Sequence, residues 1–536
     1  MPTSASLPAL ALALALVAGV SASPATPAPV VDVNEVISSL LRMFYIVDPY
    51  ATSFKTLDEV PNYVLKAQPI FIVFLLLEMA VLLALNLAKS KNAPKLPRLN
   101  DFVGSVGAGI IQQMVHLIVG DFELAAYIWV YSNCALFHFS PQQDLYVWIL
   151  AFLGVDFGYY WAHRGAHELN IGWGSHVSEL PTTSATTLPN IRLIPFTAHH
   201  NSQDYNLSTA LRQSLTQGFF TWVFYMPLAV CGVPPPFFAV HGMLNLIFQF
   251  WIHTEAVPSL GYLEYIINTP SSHRVHHGRN PYCIDKNYAG VLIIWDIMFG
   301  TYQSEKTDEV VLYGITHNIN TFDPIKIQLH QHLAIAKNVW NSKNIKDAVN
   351  RVFMGPGWSP DHMPHLRLGD PAGIPRVPNL IKTPDADIGY YNPEILGMQK
   401  GNTAGNGLAT IYILTNFALT ILLQMYAQTH ISKLPLLAVI LSTAFCVLTL
   451  WNLGMMFDGK DAVKVTETVR LVVLWPLFVY YLGQAGLEEL LGDVATQGLM
   501  VAVPAALCGV FWTTVFVGGA RSAESAASEK KSVKEE

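Results

Sequence analysis

The chain has 536 residues, 52% of them hydrophobic and only 13% charged, and its mean hydropathy is +0.35. An ordinary soluble domain carries about 25% charged residues, so this is the composition of a membrane protein with about two to four domains' worth of chain, and it excludes disordered, collagenous and small disulfide-bonded classes. The formal net charge of −7 leaves no basic footprint, so no nucleic acid partner is expected.

In chain order, an apolar run from Leu7 to Val20 precedes Ser, Ala and Pro residues and looks like a weak signal sequence, although no Lys or Arg occurs before Arg42. Residues 1–37 are therefore set apart as a signal-like or spurious extension. The first full span predicted is Pro69 to Ala88; Lys89, Lys91, Lys95 and Arg98 follow it, a basic cluster that the positive-inside rule places in the cytosol. Glu78 lies inside that span and is expected to face the bundle as a paired structural carboxylate. Further apolar stretches are Phe102–Gly120, Ala125–Phe137, Tyr146–Trp161, Gly218–Val233 and Phe237–Ile252, of which the shorter ones can be re-entrant or interfacial. Residues 305–406 turn polar and rich in Pro and Gly, which reads as a water-exposed connection, with Gly355 to Trp358 as a turn. Segment 407–520 then supplies C-terminal spans at Leu408–Tyr426, Leu434–Met456, Arg470–Leu487 and Leu499–Ala520, before a charged tail at 521–536. The five cysteines are odd in number and widely spaced, and suggest neither a disulfide framework nor a zinc site.

The 18 histidines are the anomaly. Isolated ones (His116, His138, His330, His430) read as surface or hydrogen-bonded residues. Eight others fall in three boxes: His163 and His167; His176, His199 and His200; His273, His276 and His277. On a helix, positions i, i+3 and i+4 share a face, so the first and third boxes can each aim imidazoles at one place. Eight ligands exceed what one zinc takes and fit two metals sharing a pocket. Neutral imidazole suits Zn, Cu, Fe and Ni alike, which leaves the metal open at this point. His253 lies between the second and third boxes as a ninth ligand or a neighbour of one. Glu168, next to the first box, can orient an imidazole, contact a cofactor in a catalytic role, or stand as an exposed helix carboxylate. Asp156, two turns before His163, can likewise support the site. Asp285, Asn287 and Asp296 read as caps or turn residues.

Boxes of the form HxxxH, HxxHH and HxxHH embedded in spans resemble those of the fatty acid hydroxylase superfamily of membrane di-iron enzymes. Within it, the stretches Phe152–Trp161 (FLGVDFGYYW), Asp204–Gln213 (DYNLSTALRQ), Gln249–Glu255 (QFWIHTE), Asn268–Asn280 (NTPSSHRVHHGRN) and Tyr282–Asp296 (YCIDKNYAGVLIIWD) are similar to the alkylglycerol monooxygenase family. The resemblance begins near Ser38, includes Thr52–Pro61 and extends weakly to the C-terminal spans. It implies an all-α polytopic membrane helical bundle whose hydroxylase domain, residues 38–304, carries a cytosol-facing histidine-rich di-metal site. It further implies a multi-pass enzyme of the endoplasmic reticulum membrane that uses O2, iron and tetrahydrobiopterin to hydroxylate the O-alkyl carbon of an ether lipid, an alkylglycerol, giving a hemiacetal that collapses to fatty aldehyde and a glycerol derivative. His163, His167, His176, His199, His200, His273, His276 and His277 carry over as iron ligands, and Glu168 as the residue beside them that can meet the pterin. A sterol or sphingolipid hydroxylase or desaturase of the same superfamily, fed by cytochrome b5, is the alternative enzyme; a histidine-rich metal transporter is the rival from another class, disfavoured because the histidines gather beside span ends.

One departure stands inside the second box. Twenty-two residues separate His176 from His199 where the family pattern has two, an insertion within 178–198 rich in Thr, Pro and Leu. If Ser178-Glu179 is encoded AGT-GAG and Thr197-Ala198 ACA-GCN, the added codons have a splice donor and acceptor at their ends. Their excision joins His176-Val177 through a threonine codon to His199-His200 and restores HxxHH. Sequencing the transcript across these codons distinguishes a retained intron from a loop in the mature protein.

Overall fold

The computed structural model describes residues 33–89, 94, 96–139, 145–172, 199–314, 321–355, 358, 403–482, 500 and 502–513. The apolar run 7–20, Lys91 and Lys95, His176, the insertion 178–198 and the tail 521–536 lie outside them. Among the described residues the regular structure is helical, with no strand.

Helix α1, Val33–Arg42, crosses the expected boundary at residue 37, and its ends are tied by an Arg42–Glu35 ion pair of 2.9 Å. Helix α2, Tyr63–Leu87, starts before the predicted Pro69: the Asn62 side chain accepts from Leu65 N at 2.9 Å, and this N-cap sets the start so that Pro69 falls in the second turn. Helices α3 (Leu99–Val119), α4 (Phe122–Cys134) and α5 (Leu145–Glu168) follow. At 13 residues α4 is too short for a bilayer core, which takes about 20. The apolar stretch from 218 to 233 breaks into the short helices Gln217–Thr221, Trp222–Phe224 and Met226–Val230, the last opening on Pro227. Helix α6 is Pro235–Trp251 and α7, which carries the third box, is Pro270–His277. Among the described residues, five helical stretches are long and apolar enough to cross a membrane: Leu57–Leu87, Leu99–Val119, Leu145–Glu168, Leu408–Thr429 and Leu436–Phe457.

The polar connection is not all open chain. Helices α8 (Pro324–Trp340) and α9 (Ile345–Phe353) lie within it. Ile327 and Gln331 are buried, the Gln328 side chain bonds Leu215 N at 2.8 Å and Gln213 O at 2.9 Å, and Gln331 donates to Asn170 at 2.7 Å. A polar composition hides such a segment because amides can satisfy buried backbone groups as well as water does.

Helices α10 (Thr403–Thr429) and α11 (Leu436–Phe457) pack with α3 around Ile110, Met114, Ile413, Phe417, Leu450 and Leu453. Gly107 of α3 lets Leu450 approach. Amides join the two halves of the chain across this seam: Gln68 donates to Gln428 at 2.9 Å and Gln428 donates to Gln113 at 3.0 Å. The stretch expected as a span from Arg470 begins earlier, at Val463, as helix α12 (Val463–Val469). It continues through a π turn, Arg470–Leu474, into α13, Trp475–Leu482. Arg470 is fully buried and bonds Glu467 at 2.6 and 2.8 Å, Asn416 at 2.6 Å and Thr449 at 3.1 Å, so the charge is matched inside the helix pair.

Candidate metal centre

The predicted histidines meet in two buried groups of four, His163, His167, His200 and His276, and His199, His253, His273 and His277. Within each group the ligand nitrogens lie within 4.8 Å of one another. The groups share a wall: the His200 and His277 rings stack at 4.2 Å. His163 and His167, four apart on α5, aim at one group as helical spacing requires. The third box does not aim at one place, as its spacing allowed. His273 and His277 join one group and His276 the other, because consecutive helical residues differ by about 100° around the axis. His199 and His200 divide in the same way. His253 is a full member of its group. His176 lies outside the described residues.

Backbone carbonyls orient the rings. The Nδ1 atoms of His163, His199, His253 and His276 pair with the carbonyls of Tyr288, Arg212, Gln249 and Lys286 at 2.8, 2.9, 2.7 and 2.9 Å. A ring N–H given to a carbonyl fixes the tautomer and leaves Nε2 as the ligand atom. The Nε2 atoms do converge, with His273 to His253 at 3.0 Å, His276 to His200 at 3.1 Å and His253 to His199 at 3.3 Å. Burial holds the His199 imidazole down to about 4 and His276 down to about 3, and lowers His253, His273 and His277 as well; these five rings are therefore neutral near pH 7, the form that binds metal. The buried His277 Nε2 has no hydrogen-bond partner. Neutral, inward-turned imidazoles with an orphaned nitrogen fit a pair of metal ions.

The carboxylates expected nearby act at one remove. Asp156 touches no imidazole in its own contacts: it accepts from Asn245 at 2.8 Å, from Val291 N and Leu292 N at 2.8 and 2.9 Å, and from Trp295 Nε1 at 2.9 Å. Asp296 accepts from Tyr288 N and Ala289 N, each at 2.8 Å. Together they pin the 288–292 loop whose Tyr288 carbonyl holds His163. Asn287, at φ 57°, donates to Ser272 O and Gln303 O, a left-handed turn that Asn tolerates. Asp285 Oδ1 stands 3.8 Å from His167 Nδ1. Glu168 pairs with Arg164 at 2.8 Å, which itself donates to the Tyr160 hydroxyl at 3.1 Å. Glu78 accepts from Leu207 N and Thr254 Oγ1 at 2.9 and 2.5 Å; it is matched by hydrogen bonds rather than by a cation and ties α2 to the residue after His253.

Sequence reading missed the clamps on the box segments. Arg274 of α7 grips Glu305 at 2.7 and 2.8 Å and the carbonyls of Thr254 and Val257 at 3.0 and 2.8 Å. Arg212, whose carbonyl holds His199, pairs with Asp101 at 3.1 Å, and Arg98 pairs with Asp204 at 2.8 Å. For Arg274 the signal was its place inside the third box; Arg98 and Arg212 stand away from every box, so no local pattern marked them.

Two buried four-histidine groups at the end of an apolar helical bundle define a membrane hydroxylase of the histidine-box kind, and residues 148–301 match the fatty acid hydroxylase family model. The chain is 40% identical to alkylglycerol monooxygenase of Homo sapiens over 89% of its length and 94% of the relative's, 39% identical to that of Xenopus tropicalis over the same shares, and 41% identical to that of Danio rerio over 82% and 88%. It belongs to the alkylglycerol monooxygenase family. No solved structure matches it.

Proposed function

We propose that this protein is a di-iron monooxygenase of the endoplasmic reticulum membrane that uses O2 and tetrahydrobiopterin to hydroxylate the O-alkyl carbon of an alkylglycerol. The observation that carries the reading is the pair of touching, buried four-histidine groups in a chain about 40% identical to proteins named for this activity. His163, His167, His200 and His276 would hold one ion and His199, His253, His273 and His277 the other. Bound iron supplies the redox chemistry that activates O2, and the pterin supplies two electrons. One oxygen atom enters the C–H bond beside the ether oxygen and the other leaves as water; the resulting hemiacetal breaks its C–O bond to give fatty aldehyde and a free glycerol hydroxyl. The chain's own part is to keep the imidazoles neutral and fixed by carbonyls, and to exclude bulk water through the burial of every described ligand histidine.

The test is aldehyde release from an alkylglycerol by membranes containing the full chain, with and without tetrahydrobiopterin. Pterin-dependent aldehyde supports the reading. An iron-loaded protein that releases none, or that works equally well with cytochrome b5 in place of pterin, overturns it.

A further inference from the structure

A partly open pocket reaches the His199 and His253 side of the centre. Phe71 of α2 and Leu246 and Phe250 of α6 form its apolar wall; Phe71 and Phe250 stack at 4.2 Å, while Leu246 is half-exposed on the outer face of α6. Tyr159, Gln213, Gln217 and Gln249 supply its polar lining beside the histidines. An apolar wall facing fixed polar groups suits a ligand with one apolar and one polar part.

Within this lining Gln249 has a fixed direction. Asp156 receives only donors, from two backbone N–H groups and the Trp295 indole as well as from Asn245, so Asn245 must turn its NH2 toward Asp156 and its oxygen away. That oxygen accepts from Gln249 Nε2 at 2.5 Å, which turns the Gln249 oxygen to the Tyr159 hydroxyl at 2.6 Å. With one N–H given to Asn245 and the oxygen facing Tyr159, Gln249 has one N–H left for an occupant of the cavity. That remaining N–H suits an oxygen that can only accept, and an ether oxygen is one. Gln249 also lies one turn before His253 on the chain, and its carbonyl holds His253 Nδ1 at 2.7 Å, so the residue that orients a ligand ring also lines the cavity.

We propose that this cavity seats the alkyl chain of the ether lipid, entering past Leu246 between α2 and α6, and that Gln249 donates to the ether oxygen, which turns the adjacent carbon toward the group of His199, His253, His273 and His277. The proposal rests on the alkylglycerol reading above. Gln249 is a specificity-determining residue, held in register by the Tyr159–Gln249–Asn245–Asp156 chain.

The test uses the full-length protein in membranes and an alkyl-ether glycerol bearing a diazirine on its chain. Photolysis is expected to label Phe71, Leu246 or Phe250; labelling confined to other segments overturns the cavity assignment whether or not the protein turns over. Gln249→Leu is expected to raise KM about tenfold, the loss of one hydrogen bond, with kcat changed much less and bound iron retained. Leu246→Trp is expected to shift preference toward shorter chains without altering iron content. If Gln249→Leu loses iron, Leu246→Trp and the labelling pattern decide. Unchanged KM and chain-length profile in iron-replete variants overturn the proposal, while failure of the intact protein to release aldehyde overturns the functional reading and leaves the labelling result standing.

Discussion

His253 shows how single residues decide this centre. It belongs to no box, yet its Nε2 stands within 3.0 Å of His273 and 3.3 Å of His199. On the proposed di-iron reading, with one ion in each group, His253→Ala and His277→Ala are each expected to release the ion of their own group, so that roughly half the metal remains, and to lower turnover at least about 100-fold; elemental analysis of purified protein beside the aldehyde assay checks this, and full metal content in both variants would contradict the ligand assignment. Glu168 is the opposite case, a carboxylate beside the first box that pairs with Arg164 on the same helix. An i,i+4 helix pair contributes only about 0.3–0.5 kcal/mol when exposed, and this one is partly covered, so Glu168→Ala is expected to lower the melting temperature only slightly and to leave metal content nearly unchanged. If the carboxylate meets the pterin, turnover falls and the KM for tetrahydrobiopterin rises; unaltered kinetics would confine Glu168 to its ion pair.

At the scale of elements, the long helices supply rigid rails and the segments between them are tied down by buried polar groups. Asp156 is the principal tie between α5 and the 288–295 segment. Asp156→Leu strands two backbone N–H groups, an indole and an amide, and at about 1–3 kcal/mol for each buried unmade bond it is expected to cost at least about 3 kcal/mol and to lower iron content by releasing the Tyr288 carbonyl from His163. Thermal melting and metal analysis of the same preparation measure both. Gly109 of α3 works by contact instead: a Cβ there would overlap the Leu211 carbonyl oxygen, next to the Arg212 carbonyl that holds His199. Gly109→Ala is expected to destabilise by about 1–3 kcal/mol and to weaken iron binding in the His199 group, again read by melting and elemental analysis.

Across the whole molecule, the Arg98–Asp204 pair brings the connection between α2 and α3 beside the second-box segment, and α5 ends on His163 and His167. The C-terminal end of α2, the N-terminal end of α3 and the metal centre therefore share one side, and Gly120, after α3, lies on the other. A protease tag placed after Asp308 is expected to be cleaved in sealed, normally oriented microsomes and one placed after Gly120 to be protected; the reverse pattern would put the centre in the lumen. The C-terminal helices belong to the same bundle, since Gln428 bridges Gln68 of α2 and Gln113 of α3 and Leu450 fills the gap at Gly107.

The amino-acid sequence by itself determined the helical membrane class, the long spans and the identity of the clustering histidines, because hydropathy and the i, i+3, i+4 spacing are local properties of the chain. It also carried the family likeness, in motifs that lie along continuous segments. Which histidine joins which group was decided only by the tertiary structure: His276 parts from His277, and His253 enters from outside the boxes, because the pairing depends on how α5, α6, α7 and the 199–212 segment are turned toward one another. The roles of Asp156 and Glu78 were fixed in the same way, since a buried carboxylate takes its meaning from donors distant in the chain, 89 residues away or more here, that no local spacing reveals.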